Sequence, residues 1–120
     1  MIYAVIDTNV IVSALITHNA SAATVLVVKH LFDGSIIPVY NDEILAEYDE
    51  VLHRPKFNLA DRNIRILIDY IVQIGYKTDR LKFDGIMPDE KDRPFYEVSL
   101  SKEDSFLVTG NLKHFPVSPR

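Results

Sequence analysis

The chain has 120 residues, enough for one domain with its own apolar core. Apolar residues make up 48% and charged residues 25% of the sequence, a balance that is typical of folded globular proteins and argues against disorder. The net charge of −4 disfavours a broad basic surface for nucleic acid, and the lack of cysteine excludes disulfides, thiol nucleophiles and cysteine-bound zinc. No apolar run approaches the ~20 residues of a membrane helix, and no basic segment precedes the first apolar stretch. We therefore expect a cytoplasmic protein without a membrane anchor or a signal peptide.

The first predicted element is a strand at residues 2–6, IYAVI, which is apolar on both faces, as in a parallel sheet covered by helices. It ends at Asp7, and Thr8 or Asn9 can cap a helix that starts there. Pro38 lies in the second predicted strand, residues 36–40, and indicates that this strand ends there or lies at a sheet edge. The further elements predicted in chain order are a helix at 21–33 closed by Gly34, a strand at 36–40, a helix capped by Asn41 or Asp42 and stopped by Pro55, a helix at 61–74 closed by Gly75, a short strand at 76–78, a helix at 94–101 and a strand at 105–110.

This alternation of strands and helices predicts an α/β fold, a three-layer sandwich with a central parallel β-sheet. We expect a single domain over residues 1–120.

Several acid and amide side chains fall near the strand ends at which sites form in such sheets. Asp7 ends the first strand, and Asn111 follows the last one. Asp89 and Asp92 precede the helix that leads into the last strand, so we expect all four residues at the same edge. The competing interpretation is structural: Asp7 caps the next helix, and Asp89 and Asp92 belong to a solvated loop.

The helix after Asn41 carries several acids, and helical spacing nominates two of them. Its apolar stripe is centred between Ile44 and Tyr48, and Glu47 and Asp49 border that stripe on opposite sides. Periodicity cannot choose between these two residues, and a solvated helix face explains most acids of such a helix.

Carboxylates that converge without Lys or Arg between them repel one another, and a divalent cation removes that repulsion. All-oxygen ligands indicate Mg²⁺ or Mn²⁺ rather than zinc. The four histidines show no pair at helical spacing, which disfavours a histidine-bound zinc.

Four segments, VIDTNVIVSAL, EILAEYDEVLHRPKF, DEKDRPFYEV and FLVTGNLKHF, occur in the order and spacing of the PIN domain family. They are most similar to its VapC-like branch, the toxin components of toxin–antitoxin pairs, and the resemblance covers essentially the whole chain. It implies a Mg²⁺- or Mn²⁺-dependent endoribonuclease whose partners are an RNA substrate, an antitoxin protein and a second copy of the chain in a homodimer.

The resemblance also assigns roles to individual residues. Asp7, Glu47 and Asp92 match the metal-binding acids of the family, which favours Glu47 over Asp49. Asn111 matches a fourth catalytic position that carries Asp in many members. The supporting residues are Thr8, Asn9, Thr109 and Asp89, the weak candidates for RNA phosphate contacts are Arg54, Lys56, Arg93, Lys113 and His114, and Asp104 is expected to be structural.

Metal-assisted hydrolysis of an RNA phosphodiester is the mechanism that this assignment implies. Asp7 and Asp92 hold the metal directly or through water, and Glu47 orients or deprotonates the attacking water. The alternative function is a weakly active or inactive PIN-like module that binds RNA or an antitoxin, since Asn111 removes one negative charge from the site. The C-terminal end is also shorter than is usual for the family.

A phosphoryl-accepting α/β domain is a third interpretation, which two residues disfavour. A response-regulator receiver has paired acids at its first strand end, where Asp7 stands alone. The haloacid-dehalogenase motif has a second Asp two residues after the first, where this chain has Asn9.

We predict that Asn111→Asp strengthens Mn²⁺ binding and any nuclease activity, because a hard cation favours a full negative charge over an amide oxygen. After desolvation and repulsion from the other acids, a net gain of about 1 kcal/mol, several-fold in affinity, is expected. The added charge should also destabilise the metal-free protein. Mn²⁺ titrations and thermal melts in chelator measure both effects, and equal values for the two proteins would show that residue 111 lies away from the site.

Overall fold

A computed structural model describes residues 2–109 of the chain. The strands within this range are β1 (Ile2–Ile6), β2 (Ile36–Tyr40), β3 (Tyr76–Lys77) and β4 (Ser105–Val108). The α-helices are α1 (Thr8–Ile16), α2 (Ala23–Asp33), α3 (Asp42–Leu52), α4 (Asp61–Ile74) and α5 (Arg93–Ser101), and short 3₁₀ turns occupy Pro55–Phe57 and Glu90–Asp92.

The four described strands form one sheet in the order β3-β2-β1-β4, and every pairing between them is parallel. Helices flank the sheet, so the predicted α/β fold with a central parallel sheet is confirmed. Central strand β1 has Ala4, Val5 and Ile6 at 1% exposure or less. This burial explains why the first apolar run has no polar face.

Pro38 occupies a different place from the predicted edge or end. It pairs with Ala4 inside β2, a strand that lies between β3 and β1. The pairing of β2 with β3 begins only at Val39, so the β3 side of β2 is not yet hydrogen-bonded at Pro38. A proline is tolerated there because that side needs no amide hydrogen.

Helix α3 is the element that brings an acid to the end of β1. Asn41 caps it, with its Oδ1 accepting a hydrogen bond from the Ile44 amide at 2.9 Å. Ile44, Tyr48 and Leu52 are buried at 2% exposure or less. Helix α5 begins directly after Asp92, whose charge acts on Glu47 of α3.

Among the helices within residues 2–109, none reaches the combination of length and hydropathy that a bilayer-spanning segment requires.

We predict that Gly75→Ala destabilises the protein, because Gly75 sits against backbone at the end of α4. A methyl group there would lie 2.4 Å from the Ile71 oxygen and 2.9 Å from the Pro38 oxygen. Relieving this overlap should cost about 1–3 kcal/mol, which outweighs the entropic benefit of replacing glycine. Denaturant unfolding measures the change. The matched control is Gln73→Ala at an exposed position of α4, expected within about 0.5 kcal/mol of wild type. Equal midpoints for Gly75→Ala and wild type would contradict the close approach.

Candidate active site

Asp7 lies at the carboxyl end of β1 and is 4% exposed. Its Oδ2 accepts a hydrogen bond from the Thr109 hydroxyl at 2.9 Å, and its Oδ1 accepts one from the Asn9 amide at 3.4 Å. Asp7 is therefore the N-cap of α1, as its competing structural interpretation predicts, whereas Thr8 and Asn9 lie within the helix. The capping bond is long and weak, so capping accounts for only part of the environment of this buried carboxylate.

Glu47 reaches the same place from α3. The buried Thr8 hydroxyl donates to its Oε2 at 2.5 Å. On the next residue, the Tyr48 hydroxyl donates to the Ile6 carbonyl at 2.5 Å and so ties α3 to the last residue of β1. Because Ile6 directly precedes Asp7, this contact sets the distance between the helix and the carboxylate.

Asp92 lies on a third part of the chain, at the junction of the 3₁₀ turn Glu90–Asp92 and α5. Its Oδ2 atom is buried. Its charge is close enough to Glu47 to affect the pKa of that residue.

The Glu47 carboxylate is close enough to Asp7 and Asp92 to be affected by both charges. Burial raises the pKa of its carboxyl group, and the charges of Asp7 and Asp92 raise it further. The hydrogen bond from Thr8 acts in the opposite direction but does not cancel these effects. Burial and the charges of Asp7 and Glu47 also raise the pKa of Tyr48, which keeps its phenol neutral and able to donate.

The structure distinguishes the two acids of α3 that periodicity could not separate. The Asp49 side chain is 61% exposed and lies 3.3 Å from Nδ1 of His53. Glu47 is the partly buried one beside Asp7. Their different environments arise from the packing of α3 against β1 and not from the pattern of the helix itself.

The donors that converge here are oxygen atoms, the type that Mg²⁺ and Mn²⁺ prefer. Within residues 2–109, no three His, Asp or Glu side chains are arranged to hold one ion together. Mg²⁺ keeps several of its waters and is often held by only one or two carboxylates. A site in which Asp7 and Asp92 supply the charge therefore fits such an ion by its chemistry, and Asn111 lies outside the described residues.

The weak candidates for RNA contacts, Arg54 and Lys56, and the supporting candidate Asp89 differ in their contacts. Arg54 forms two hydrogen bonds to Glu50, at 3.0 and 3.1 Å, and Glu47 contributes to raising its pKa after Glu50 does. Exposed Lys56 lies 5.1 Å from the Phe57 ring. Asp89 caps the 3₁₀ turn by accepting from the Lys91 amide.

Arg93, one of the predicted phosphate contacts, has several partners within the protein. Its guanidinium donates to Glu90 and to the carbonyls of Phe83 and Gly85, and its side chain is 20% exposed. These contacts attach the loop before the 3₁₀ turn to α5, which is a structural role. Asp104 pairs with Lys102 just before β4, as expected for a structural residue, and the predicted contacts Lys113 and His114 lie outside the described residues.

Sequence reasoning missed Glu97 and its partner Arg80. Glu97 is 3% exposed on α5, and it accepts from Nε of Arg80 at 2.6 Å and from the Phe83 amide at 2.8 Å. Burial alone would raise the pKa of Glu97, but these two donors hold it below its usual value. A lone Glu between Tyr96 and Val98 in a mostly apolar helix was the available signal.

We predict that Glu47→Gln stabilises the metal-free protein above the usual pH range of glutamate titration. Because the folded-state pKa of Glu47 is raised, the native state binds more protons than the unfolded state between the usual and the raised value. Stability therefore falls as the pH rises through that window in wild type. Glutamine removes this loss, and its carbonyl can still accept from Thr8. Denaturant unfolding in chelator across this pH range measures the difference.

The advantage of Glu47→Gln should vanish below that window, where wild-type Glu47 is protonated. Asp69→Asn, at an exposed position of α4, is the control and should show no such pH-dependent gain. A constant difference between Glu47→Gln and wild type at every pH would contradict the predicted titration.

Among the comparisons with known proteins, the match is to a family. No curated protein and no solved structure matches the chain. The sequence profile of the PIN domain matches residues 3–113, which includes all three segments that carry Asp7, Glu47 and Asp92. PIN domains are generally divalent-metal-dependent nucleases that act on RNA. The chain belongs to the PIN domain family.

Proposed function

We propose that this PIN domain is a Mg²⁺- or Mn²⁺-dependent endoribonuclease whose active site contains Asp7, Glu47 and Asp92, with Asn111 in the fourth position. The observation that carries the proposal is geometric: Thr109 donates to Asp7 at the end of β1, and Thr8, the next residue, donates to Glu47 on α3. The raised pKa of Glu47, caused by burial and by the charges of Asp7 and Asp92, agrees with it. Perturbed carboxylates that gather at the carboxyl edge of a parallel sheet are typical of active sites.

The chain's own residues supply the positioning and the proton acceptor. Thr109 holds Asp7 through Oδ2, and Thr8 holds Glu47 through Oε2. A carboxylate with a raised pKa is a better base near neutral pH, so Glu47 suits removal of a proton from the attacking water. Asp7 and Asp92 would hold the cation. When bound, the ion would stabilise negative charge on the phosphoryl and leaving oxygens.

We further propose that the protein is the toxin of a toxin–antitoxin pair and forms a homodimer. The four motifs that resemble the VapC-like branch support this role. A PIN module that binds RNA or an antitoxin without cleaving is the second candidate, and Asn111 favours it because the amide removes a charge at a position that is often Asp.

We predict that Asp7→Asn abolishes RNA cleavage and weakens stabilisation by metal. Asparagine retains an acceptor for the α1 cap but loses the charge that the cation needs. In wild type, a hundredfold excess of Mn²⁺ over Kd should add about 2.7 kcal/mol to the free energy of unfolding. Removal of one of the crowded acids should also stabilise the metal-free variant. Cleavage of a panel of structured RNAs and thermal melts with Mn²⁺ or chelator test these expectations.

The matched control is Asp49→Asn, which changes an exposed acid of the same helix as Glu47 and should cleave like wild type. Equal cleavage by Asp7→Asn and wild type would refute the proposed site. RNA binding by wild type without metal-dependent cleavage would favour the binding module. A marked loss of stability in metal-free Asp7→Asn would mean that capping is the main role of Asp7.

A further inference from the structure

We propose that Arg80 is a positioning residue that sets the spacing between α3 and α5, and with it the spacing between Glu47 and Asp92. The consequence of this spacing for catalysis rests on the proposed nuclease function. The Arg80 side chain bridges the two helices. Its Nε donates to Oε1 of Glu97 on α5 at 2.6 Å. Its Nη1 donates to both carboxylate oxygens of Glu43 on α3, at 2.8 and 2.7 Å.

Each helix carries one partner of Arg80 and one acid of the site. Glu43 precedes Glu47 by four residues, so the two carboxylates lie one above the other on the same face of α3. Glu97 lies on α5, which begins directly after Asp92. The Arg80 bridge therefore ties together the same two helices that must hold Glu47 and Asp92 at a fixed distance.

The segment around Arg80 is itself attached to α5. The Leu81 amide donates to the Glu97 carbonyl at 3.0 Å, and the Phe83 amide donates to Oε2 of Glu97 at 2.8 Å. Arg80 thus moves with α5, and Glu43 is its contact to α3. Because guanidinium is planar and presents its donors in a fixed fork, it holds two carboxylates at a defined separation, which a lysine cannot do.

A cleft of about 520 Å³ adjoins the bridge and is lined in part by Arg80, Arg93 and Glu97. The open space gives the loop and α5 room to shift if the bridge is broken. The Glu43 side chain is 53% exposed, and exposed ion pairs contribute little to folding stability. Glu43→Ala should therefore release the bridge while the protein stays folded.

The experiment measures the helix spacing directly and without metal. The natural chain contains no cysteine, so spin labels can be placed at Ala46→Cys on α3 and Lys91→Cys beside Asp92, both exposed positions. Dipolar coupling between the labels reports their distance distribution in chelator. We expect a longer and broader distribution in Glu43→Ala and in Arg80→Gln, and an intermediate one in Glu43→Gln, which keeps an acceptor for Arg80.

Mn²⁺ titration of the unlabelled variants measures the consequence for the site. Loss of a residue that orients metal ligands typically weakens metal affinity by 10- to 100-fold, so we expect Kd to rise about tenfold in Glu43→Ala. The matched control is Tyr70→Phe, which removes hydrogen bonds from α4 to the Leu31 and Phe32 carbonyls of α2. Tyr70→Phe should change neither the label distances nor the Mn²⁺ affinity.

An unchanged distance distribution in Glu43→Ala overturns the inference, and this variant decides alone if Arg80→Gln does not fold. Wild type that binds no Mn²⁺ and cleaves no RNA refutes the proposed function, whereas the label distances still decide whether Arg80 sets the helix spacing. If wild type binds Mn²⁺ and Glu43→Ala binds it equally tightly, the positioning role is refuted and the proposed function stays in place.

Discussion

The buried carboxylate of Asp7 at the carboxyl end of β1, with the partly buried Glu47 beside it, is the feature on which the rest of the candidate site depends. Burial of a charged group is costly unless hydrogen bonds replace its water. Thr109 supplies one to Asp7, and Thr8 supplies one to Glu47. These bonds do not remove the repulsion between the acids, which is visible in the raised pKa of Glu47. A bound cation would offset this repulsion, which is why the arrangement supports the proposed metal-dependent function.

A second buried carboxylate shows the opposite solution to the same problem. Glu97 is as buried as Asp7, but a guanidinium and a backbone amide hold its pKa below the usual value. Glu97 is therefore charged and paired, and it belongs to the scaffold. Glu47 is crowded by like charges, as expected for a residue of the proposed site. The partners of a buried acid, more than its burial, thus distinguish a structural role from a catalytic one.

Much of the fold could be predicted because its signals are local. Asn41 as the cap of α3 and Gly34 at the end of α2, with its positive φ of 84°, are read from neighbouring residues. Pro38 was placed wrongly because the register of β2 against β3 depends on residues far away in the chain. Local patterns offered Asp7, Thr8 and Asn9 as caps of α1, and the structure selects Asp7. Asp7 also accepts from Thr109, a contact across 102 positions that no local pattern contains.

The sequence by itself determined the α/β class, the order of the elements and the placement of Asp7 at a strand end, because apolar periodicity and turn residues act over a few positions. Its motifs also nominated Glu47 and Asp92. Periodicity alone left Glu47 and Asp49 equal and the family resemblance favoured Glu47; the tertiary structure places Glu47 beside Asp7, because α3 packs on β1 with the Tyr48 hydroxyl bonded to the Ile6 carbonyl. It also brought the Arg93 guanidinium to the Phe83 and Gly85 carbonyls, because the path of the loop that carries them depends on the packing of α5 and not on a local pattern.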